Sequence, residues 1–494
     1  MATARVPRGG TDAVVAARSG GAGPPRPRRA AEFPCDFSTV RADFGLPAEF
    51  PTAALGEVEQ TVASPVLEVG REDATDLPLV TVDPLGAKDL DQAVLLTRRG
   101  RGFRVDYAIA DVAAFVRPGG ALDAEVRRRG QTLYLPDGNV PLHPTLLSEG
   151  AASLLPDQVR PAVLWTMDLD ADGSPVRTRV RRAVVRSVAQ LDYETVQRSL
   201  RAGTAHPSIE LLPRIGRLRR EHAVRRGAIE LGLPEQQVEP DEAGGWRVSL
   251  RPRLVVEEWN AEISLLTGMC AAELMLEAGV GILRTVPDPE PPTVAALRRS
   301  AERLGVVWPE DLPPAEALAG LDPVRPEALA VHVAATRLLR GAGYTAFDSG
   351  PPSKSRHAGI GASYAHVTAP LRRLVDRYAT EVCLAAAEGS EVPEWVRQAL
   401  PALPSAMGSS DRVAAQVERA CLAQAQAWAL AGRAGTVFSA TVLRAGAGDG
   451  EVFIPEPPVI ARCEGEDLTG GRRIRVRLTR ADPRTREVSF TRAP

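Results

Sequence analysis

Asp83, Asp89 and Asp91 are the residues whose type and spacing most readily do chemistry in this chain of 494 residues. An apolar run from Leu77 to Val82 reads as a buried strand that delivers Asp83 to a loop, Pro84 to Lys88, which returns with Asp89 and Asp91. In an extended loop Asp89 and Asp91 share one side while Leu90 points to the other, free to anchor in the core. Three gathered carboxylates repel one another unless a hard cation sits among their oxygens, and Mg²⁺ held by a few carboxylates and a substrate phosphate suits the set. The bland alternative is a solvated Asp-rich turn or a helix cap. A calcium EF-hand does not fit, because Val94 or Ala93 falls where that loop needs a ligand.

A second group lies far along the chain. Thr368 reads as the N-cap of a helix with Pro370 in its first turn, and Leu371, Leu374, Val375, Tyr378 and Val382 form its apolar stripe. Arg372 falls off that stripe near the positive helix end, a place that suits a phosphate; an ion pair with Asp376, one turn on, is the structural alternative. A further helix, capped by Ser409 or Ser410, runs from Asp411 towards Leu430 and carries Glu418. Tyr134 lies on a proline-punctuated path through Pro136, Pro141 and Pro144, which places it near the surface or a cleft. His357 and His366 are read as hydrogen-bonded structural histidines, and Asp111 as an acceptor at a strand end. Arg177, Arg179 and Arg181 share one strand face, either tracking phosphates or simply solvated. Arg217, Arg219, Arg220, Arg225 and Arg226 read as the solvated face of a helix.

The elements that must position these residues divide the chain. Residues 1–30, rich in Arg, Gly and Pro, read as a disordered tail, and 31–76 as a short helical extension. From Leu77 strands dominate: Ala93 to Thr97 and Phe103 to Ile109 make a hairpin through Arg98–Gly102. After Arg253 the chain becomes mainly helical, with Leu265 to Leu283 as a buried helix interrupted by Glu273 and Glu277 and not a membrane span. Five short strand patterns between Thr436 and Thr491 predict an OB-type barrel, a fold that often binds single-stranded nucleic acid, here without a clear aromatic platform beyond Phe438 and Phe453. The 44% hydrophobic and 25% charged fractions are those of a globular chain. Net charge is −2, so any polyanion site must be local, and almost every cation is arginine, a bidentate phosphate donor. Five scattered cysteines with no paired spacing argue against a zinc site or a disulfide framework and for a reducing compartment.

Four motifs in order, Asp83 to Asp91, Tyr107 to Val112, Thr132 to Pro136 and Tyr364 to Arg373, resemble the ribonuclease II / ribonuclease R family. The resemblance implies an α+β fold: an RNB catalytic domain, a mixed sheet with helices around an RNA channel, over 77–431, followed by an OB-fold barrel over 434–494. It implies 3′→5′ hydrolysis of single-stranded RNA with Mg²⁺ (Mn²⁺ as substitute), releasing nucleoside 5′-monophosphates. By position, Asp83, Asp89 and Asp91 resemble the metal-binding acids, Tyr134 the base-stacking tyrosine, Arg372 the arginine on the scissile phosphate, and Glu418 a glutamate of the same site. Arg373 joins Arg372 and Tyr134 as an RNA contact, and Asp91, Arg372 and Glu418 are the catalytic candidates. The family usually has a fourth acid where this chain has Gln92, which can offer Mg²⁺ only a neutral carbonyl oxygen. Glu257 and Glu258 match paired acids of a family helix, while Ser264 stands where the family often has Asn. Cold-shock domains ahead of the catalytic domain are not recognisable. The expected partner is single-stranded RNA, with no membrane, a monomeric state and a cytoplasmic location. Two alternatives follow from the departures: an RNB protein that binds RNA 3′ ends with weakened catalysis, or a phosphodiesterase for very short oligonucleotides.

Overall fold

The computed structural model describes residues 36–64, 70–241, 245–446 and 448–494. The tail expected over 1–30 lies outside them, as does Cys35; the other four cysteines are buried free thiols.

Two helices, Ser38–Asp43 and Thr52–Ala63, precede the strands β1 (Glu72–Asp73), β2 (Leu79–Asp83), β3 (Gln92–Arg99) and β4 (Gly102–Ala110). A small hairpin follows, β5 (Leu133–Leu135) with β6 (Gly138–Val140), then β7 (Val159–Leu169) and β8 (Pro175–Asp192). The main sheet runs β1-β8-β2-β3-β4-β7. β8 is long enough to pair antiparallel with β7 along its first part and parallel with β2 along its end, so the sheet curls back on itself. β2 is an almost continuous apolar run because it is covered on both faces. The hairpin of β3 and β4 turns through Gly100, which takes the left-handed φ of +57° that glycine supplies without a Cβ clash.

Helix Leu374–Glu388 packs on β8 and on the long helix Val255–Ala278, and Tyr107, Trp165 and Tyr378 fill the core between sheet and helices. The apolar stretch expected to remain helical to Leu283 stops at Ala278, where Gly279 caps the helix at φ +69°. The chain then enters strand Gly281–Thr285, paired with Gly343–Phe347. Short apolar runs do not distinguish a buried strand from a buried helix, and the glycine marks the change. Arg219, read as solvated, is 3% exposed and donates to the carbonyl of Gly173 at 3.0 Å.

The C-terminal strands Val437–Ala445, Asp449–Pro455, Pro458–Glu464, Arg473–Asp482 and Glu487–Arg492 close into a five-stranded barrel. Alternation builds it: in Arg473–Asp482, Val476 and Leu478 point into a separate core while Arg473, Arg475 and Arg477 point out.

Candidate active site

The aspartate loop is held from beneath. Leu90 is fully buried, its N–H donates to Ser153 Oγ at 3.0 Å, and its carbonyl accepts from Leu154 N–H at 3.0 Å. Ser153 Oγ in turn donates to the Lys88 carbonyl at 2.6 Å. Leu90 thus anchors the loop while Asp89 and Asp91 are presented on the other side. Asp83 ends β2 and keeps a buried Oδ2 with no hydrogen-bond partner. Burial, only partly offset by Arg372, pushes its carboxyl up to about 6.

Asp91 is 3% exposed and meets the segment Thr368 to Arg373. Leu371 N–H donates to Oδ1 at 2.8 Å and Arg372 Nε to Oδ2 at 3.1 Å. Burial outweighs both and pushes Asp91 up to about 7. This segment is not the helical turn the sequence suggests. The helix begins at Leu374, so Thr368 is no N-cap and Pro370 precedes the first turn. Tertiary partners replace the helical hydrogen bonds: Asp376 Oδ1 accepts from Ala369 N–H at 2.7 Å, and His143 Nδ1 meets the Leu371 carbonyl at 2.9 Å. A carbonyl only accepts, so His143 carries its proton on Nδ1, and burial lowers the ring to about 4, keeping it neutral. The expected pairing of Arg372 with Asp376 is also replaced. Arg373 takes the fully buried Asp376, with Nη2 2.8 Å from Oδ1, which releases Arg372 to Asp91.

The same segment carries the tyrosine hairpin. Thr132 N–H donates to the Arg372 carbonyl at 2.9 Å and Leu374 N–H to the Gly130 carbonyl at 3.0 Å. Two residues beyond Thr132, Tyr134 stands half exposed at 50%, its hydroxyl donating to Asp89 Oδ2 at 3.2 Å. Burial of the phenol and the nearby Asp89 charge raise its pKa, so it stays a donor. Tyr134, Arg372, Arg373 and Glu418 line one cavity of about 430 Å³. Glu418 arrives on helix Leu403–Leu430, which starts well before the expected caps. Pro404 fits its first turn, whereas Ser410 lies inside and bonds back to the Met407 carbonyl at 3.1 Å.

Gln92 starts β3 and donates its amide Nε2 to the Thr368 carbonyl, which leaves Oε1 as the acceptor end. A short contact to a carbonyl fixes the amide this way round, since two oxygens would repel. Among the described residues no three His, Cys, Asp or Glu side chains are gathered as a ready metal cluster. The donor chemistry nevertheless fits a hard cation: an orphaned buried oxygen on Asp83, a second buried acid in Asp91, and Asp89 held by the Tyr134 hydroxyl.

Several other residues prove structural. Asp111 is a buried junction, its Oδ2 2.7 Å from Arg71 and 2.6 Å from Arg182, and these cations hold its carboxyl below the usual range against burial. Glu257 and Glu258 are paired with Arg251 and Arg220, and Ser264 Oγ meets the Tyr107 hydroxyl at 2.8 Å. His366 Nδ1 meets Tyr344 at 2.9 Å. His143 supports the site without having been singled out; local sequence carries no signal for it, because its partner is more than two hundred positions away.

A sheet-and-helix body with a cavity lined by Arg372, Arg373 and Glu418, followed by a closed OB-type barrel, defines a two-module architecture. The RNB domain family matches residues 71–387, and the RNase II-type exonuclease C-terminal S1 domain matches residues 436–493. The chain belongs to the RNB family. Ribonuclease R of Thermotoga maritima is 28% identical over 427 residues, covering 82% of this chain and 59% of the relative. Ribonuclease R of Escherichia coli is 32% identical over 343 residues, covering 65% and 41%. The chain spans about half the length of the curated relatives it matches. The apo form of Mycoplasma genitalium RNase R superposes with TM-score 0.81 at 20% identity, over 92% of this chain and 77% of that one. Yeast Ssd1, described as a pseudonuclease, gives TM-score 0.68 at 17% identity, over 87% and 54%.

Proposed function

We propose that this protein is a 3′→5′ exoribonuclease that hydrolyses single-stranded RNA with Mg²⁺ and releases nucleoside 5′-monophosphates. The observation that carries the reading is a cavity lined by a stacking-competent Tyr134 and a phosphate-competent Arg372, each hydrogen-bonded to an acid of the Asp83–Asp91 loop beside it. Asp83, Asp89 and Asp91 would hold the cation, which when bound supplies an activated water and neutralises phosphate charge. Tyr134 stacks on the terminal base and sets how far the chain end enters. Arg372, 48% exposed at its side chain, turns from Asp91 to the scissile phosphate. Arg373 stays with Asp376 and stiffens the wall, and Glu418 orients the incoming end. Gln92 ties the two catalytic segments through Thr368 and adds, at most, a neutral oxygen to the cation. No helix among the described residues is long and apolar enough to cross a membrane; a monomer acting in the cytoplasm is the arrangement we propose.

The test is a time course on 5′-labelled single-stranded RNA with Mg²⁺, Mn²⁺ or EDTA. Metal-dependent shortening to one small end product is expected; retained binding with no shortening under either metal overturns the reading. Gln92 favours a second reading, an RNB protein that holds RNA 3′ ends without cutting them. Activity appearing in Gln92→Asp and absent from the unaltered chain would establish it.

A further inference from the structure

Where the barrel meets the helical part of the catalytic domain there is a groove of about 700 Å³, away from the cavity that holds Tyr134 and Arg372. One wall is helices Pro291–Arg303 and Pro326–Ala335 with the short turn Thr336–Leu339; the other is the first barrel strand and the loop at Leu468–Gly470. Arg303, Arg337, Arg340 and Arg444 line it, and no aspartate or glutamate does. The chain has net charge −2, and by contrast the hollow lined by Arg104, Arg177, Arg179 and Arg181 is full of carboxylates, while the Tyr134 cavity carries Glu418. Arg303, Arg337 and Arg340 are exposed and have no ion pair or hydrogen bond among the described residues; Arg444 keeps only a loose 3.7 Å approach to Glu451. Arg337 lies in the 3₁₀ turn, Arg340 follows it directly in extended conformation, and both line the groove. The helix end at Arg303 tolerates the cation through its partial negative charge but leaves the forked N–H donors unmatched. Leu297, Leu338, Leu443 and Leu468 give the groove an apolar floor.

We propose that this groove binds a segment of single-stranded RNA upstream of the 3′ end, its phosphodiesters on the arginines and its bases against the leucine floor. The inference rests on RNA being the substrate of the catalytic cavity. RNA is favoured over an acidic polypeptide by the planar donors, which match phosphate oxygens bidentately, and by the apolar floor, which suits base faces. The groove therefore favours long RNAs over short ones without touching the chemistry.

The full-length protein and the triple variant Arg303→Gln, Arg337→Gln, Arg340→Gln would be compared in EDTA by fluorescence anisotropy, with a labelled RNA of about 25 nucleotides across a salt series, a length above single-barrel site sizes. Affinity of the variant should fall at least about tenfold, and the slope of log K against log salt should shrink by about 2, since each lost phosphate contact removes roughly 0.7 on a single strand. Turnover of an RNA of about five nucleotides in Mg²⁺ should stay unchanged, being too short to reach beyond one site. The matching triple Lys variant should keep the salt slope, which separates charge from folding. Unchanged long-RNA affinity and slope in the Gln variant, with the unaltered chain binding and cutting normally, overturns the groove alone. Loss of polyglutamate binding with RNA binding intact overturns it in favour of an acidic polypeptide. An unaltered chain that neither binds nor shortens either RNA instead removes the exoribonuclease reading on which the groove rests.

Discussion

Two of the places where carboxylates meet arginines beside the main sheet have opposite electrical results. In the hollow lined by Glu72, Arg104, Asp168 and Arg181, the charges match: Asp168 Oδ1 lies 2.8 Å from Arg104 and Glu72 Oε2 lies 2.7 Å from Arg181 and 3.0 Å from Arg179. The hydrogen bond from Arg181 holds Glu72 below the usual carboxylate range. The possible phosphate-tracking stripe of Arg177, Arg179 and Arg181 is thereby largely neutralised at its last two members. In the cleft, one half-exposed guanidinium faces Asp91 while Asp83 keeps an orphaned oxygen, and burial drives both acids up, to about 7 and 6. Matched pairs make a brace, whereas an excess of buried acid makes a place for something else positively charged.

The strongest way to break this contrast is to neutralise one acid in each place. Asp91→Asn should lower RNA turnover at least about a hundredfold, the scale of losing one key electrostatic group, while sparing RNA binding. Asp168→Asn should leave turnover within about twofold, because it unpairs surface arginines outside the cleft. Equal losses in the two variants, measured as initial rates, would erase the distinction. Tyr134→Ala comes next: stacking worth about 1–3 kcal/mol per base should be lost, with a shift in end-product length read on a sequencing gel. An unchanged ladder would remove Tyr134 from the site.

The acid–base signatures should also have opposite signs. Asp91 has a folded pKa above its unfolded value, so its contribution is fully present at low pH and is lost as pH rises towards 7. In EDTA, the melting temperature of Asp91→Asn relative to the unaltered protein should therefore climb between about pH 4 and pH 7. Glu72 is depressed, so its contribution is present above the unfolded value and disappears as pH falls through the folded one. Glu72→Gln should lose its stability difference under acid, and at neutral pH that difference should stay within about 1 kcal/mol, as befits an exposed pair. A falling difference for Asp91→Asn would mean that Arg372 compensates the buried charge in full.

How much of this was legible in the sequence depends on the range of the interactions. The aspartate loop, Leu90 as its anchor, the β3–β4 hairpin and the five barrel strands follow from local pattern and turn residues, and the structure has them all. The start of the helix at Leu374 was misplaced because the hydrogen bonds that keep 368–373 out of the helix come from Asp91, His143 and Thr132, each remote in sequence. The partner exchange between Arg372 and Arg373 has the same origin: i, i+4 spacing favours Arg372 with Asp376 only if both lie on one helix, and they do not. Arg219 was misread because its carbonyl partner is supplied by a distant turn.

The two backbone bonds that join Gly130 and Thr132 to Arg372 and Leu374 have a consequence for measurement. Tyr134 and Arg372 ride on one short ladder, so the spacing of their backbone positions is set by peptide geometry, and each side chain swings from a fixed root. Such a pair is a calliper whose hinges are fixed and whose arms are free. On the proposed exoribonuclease reading, each cut would be gauged from those two roots, indifferent to the base that happens to stand between them.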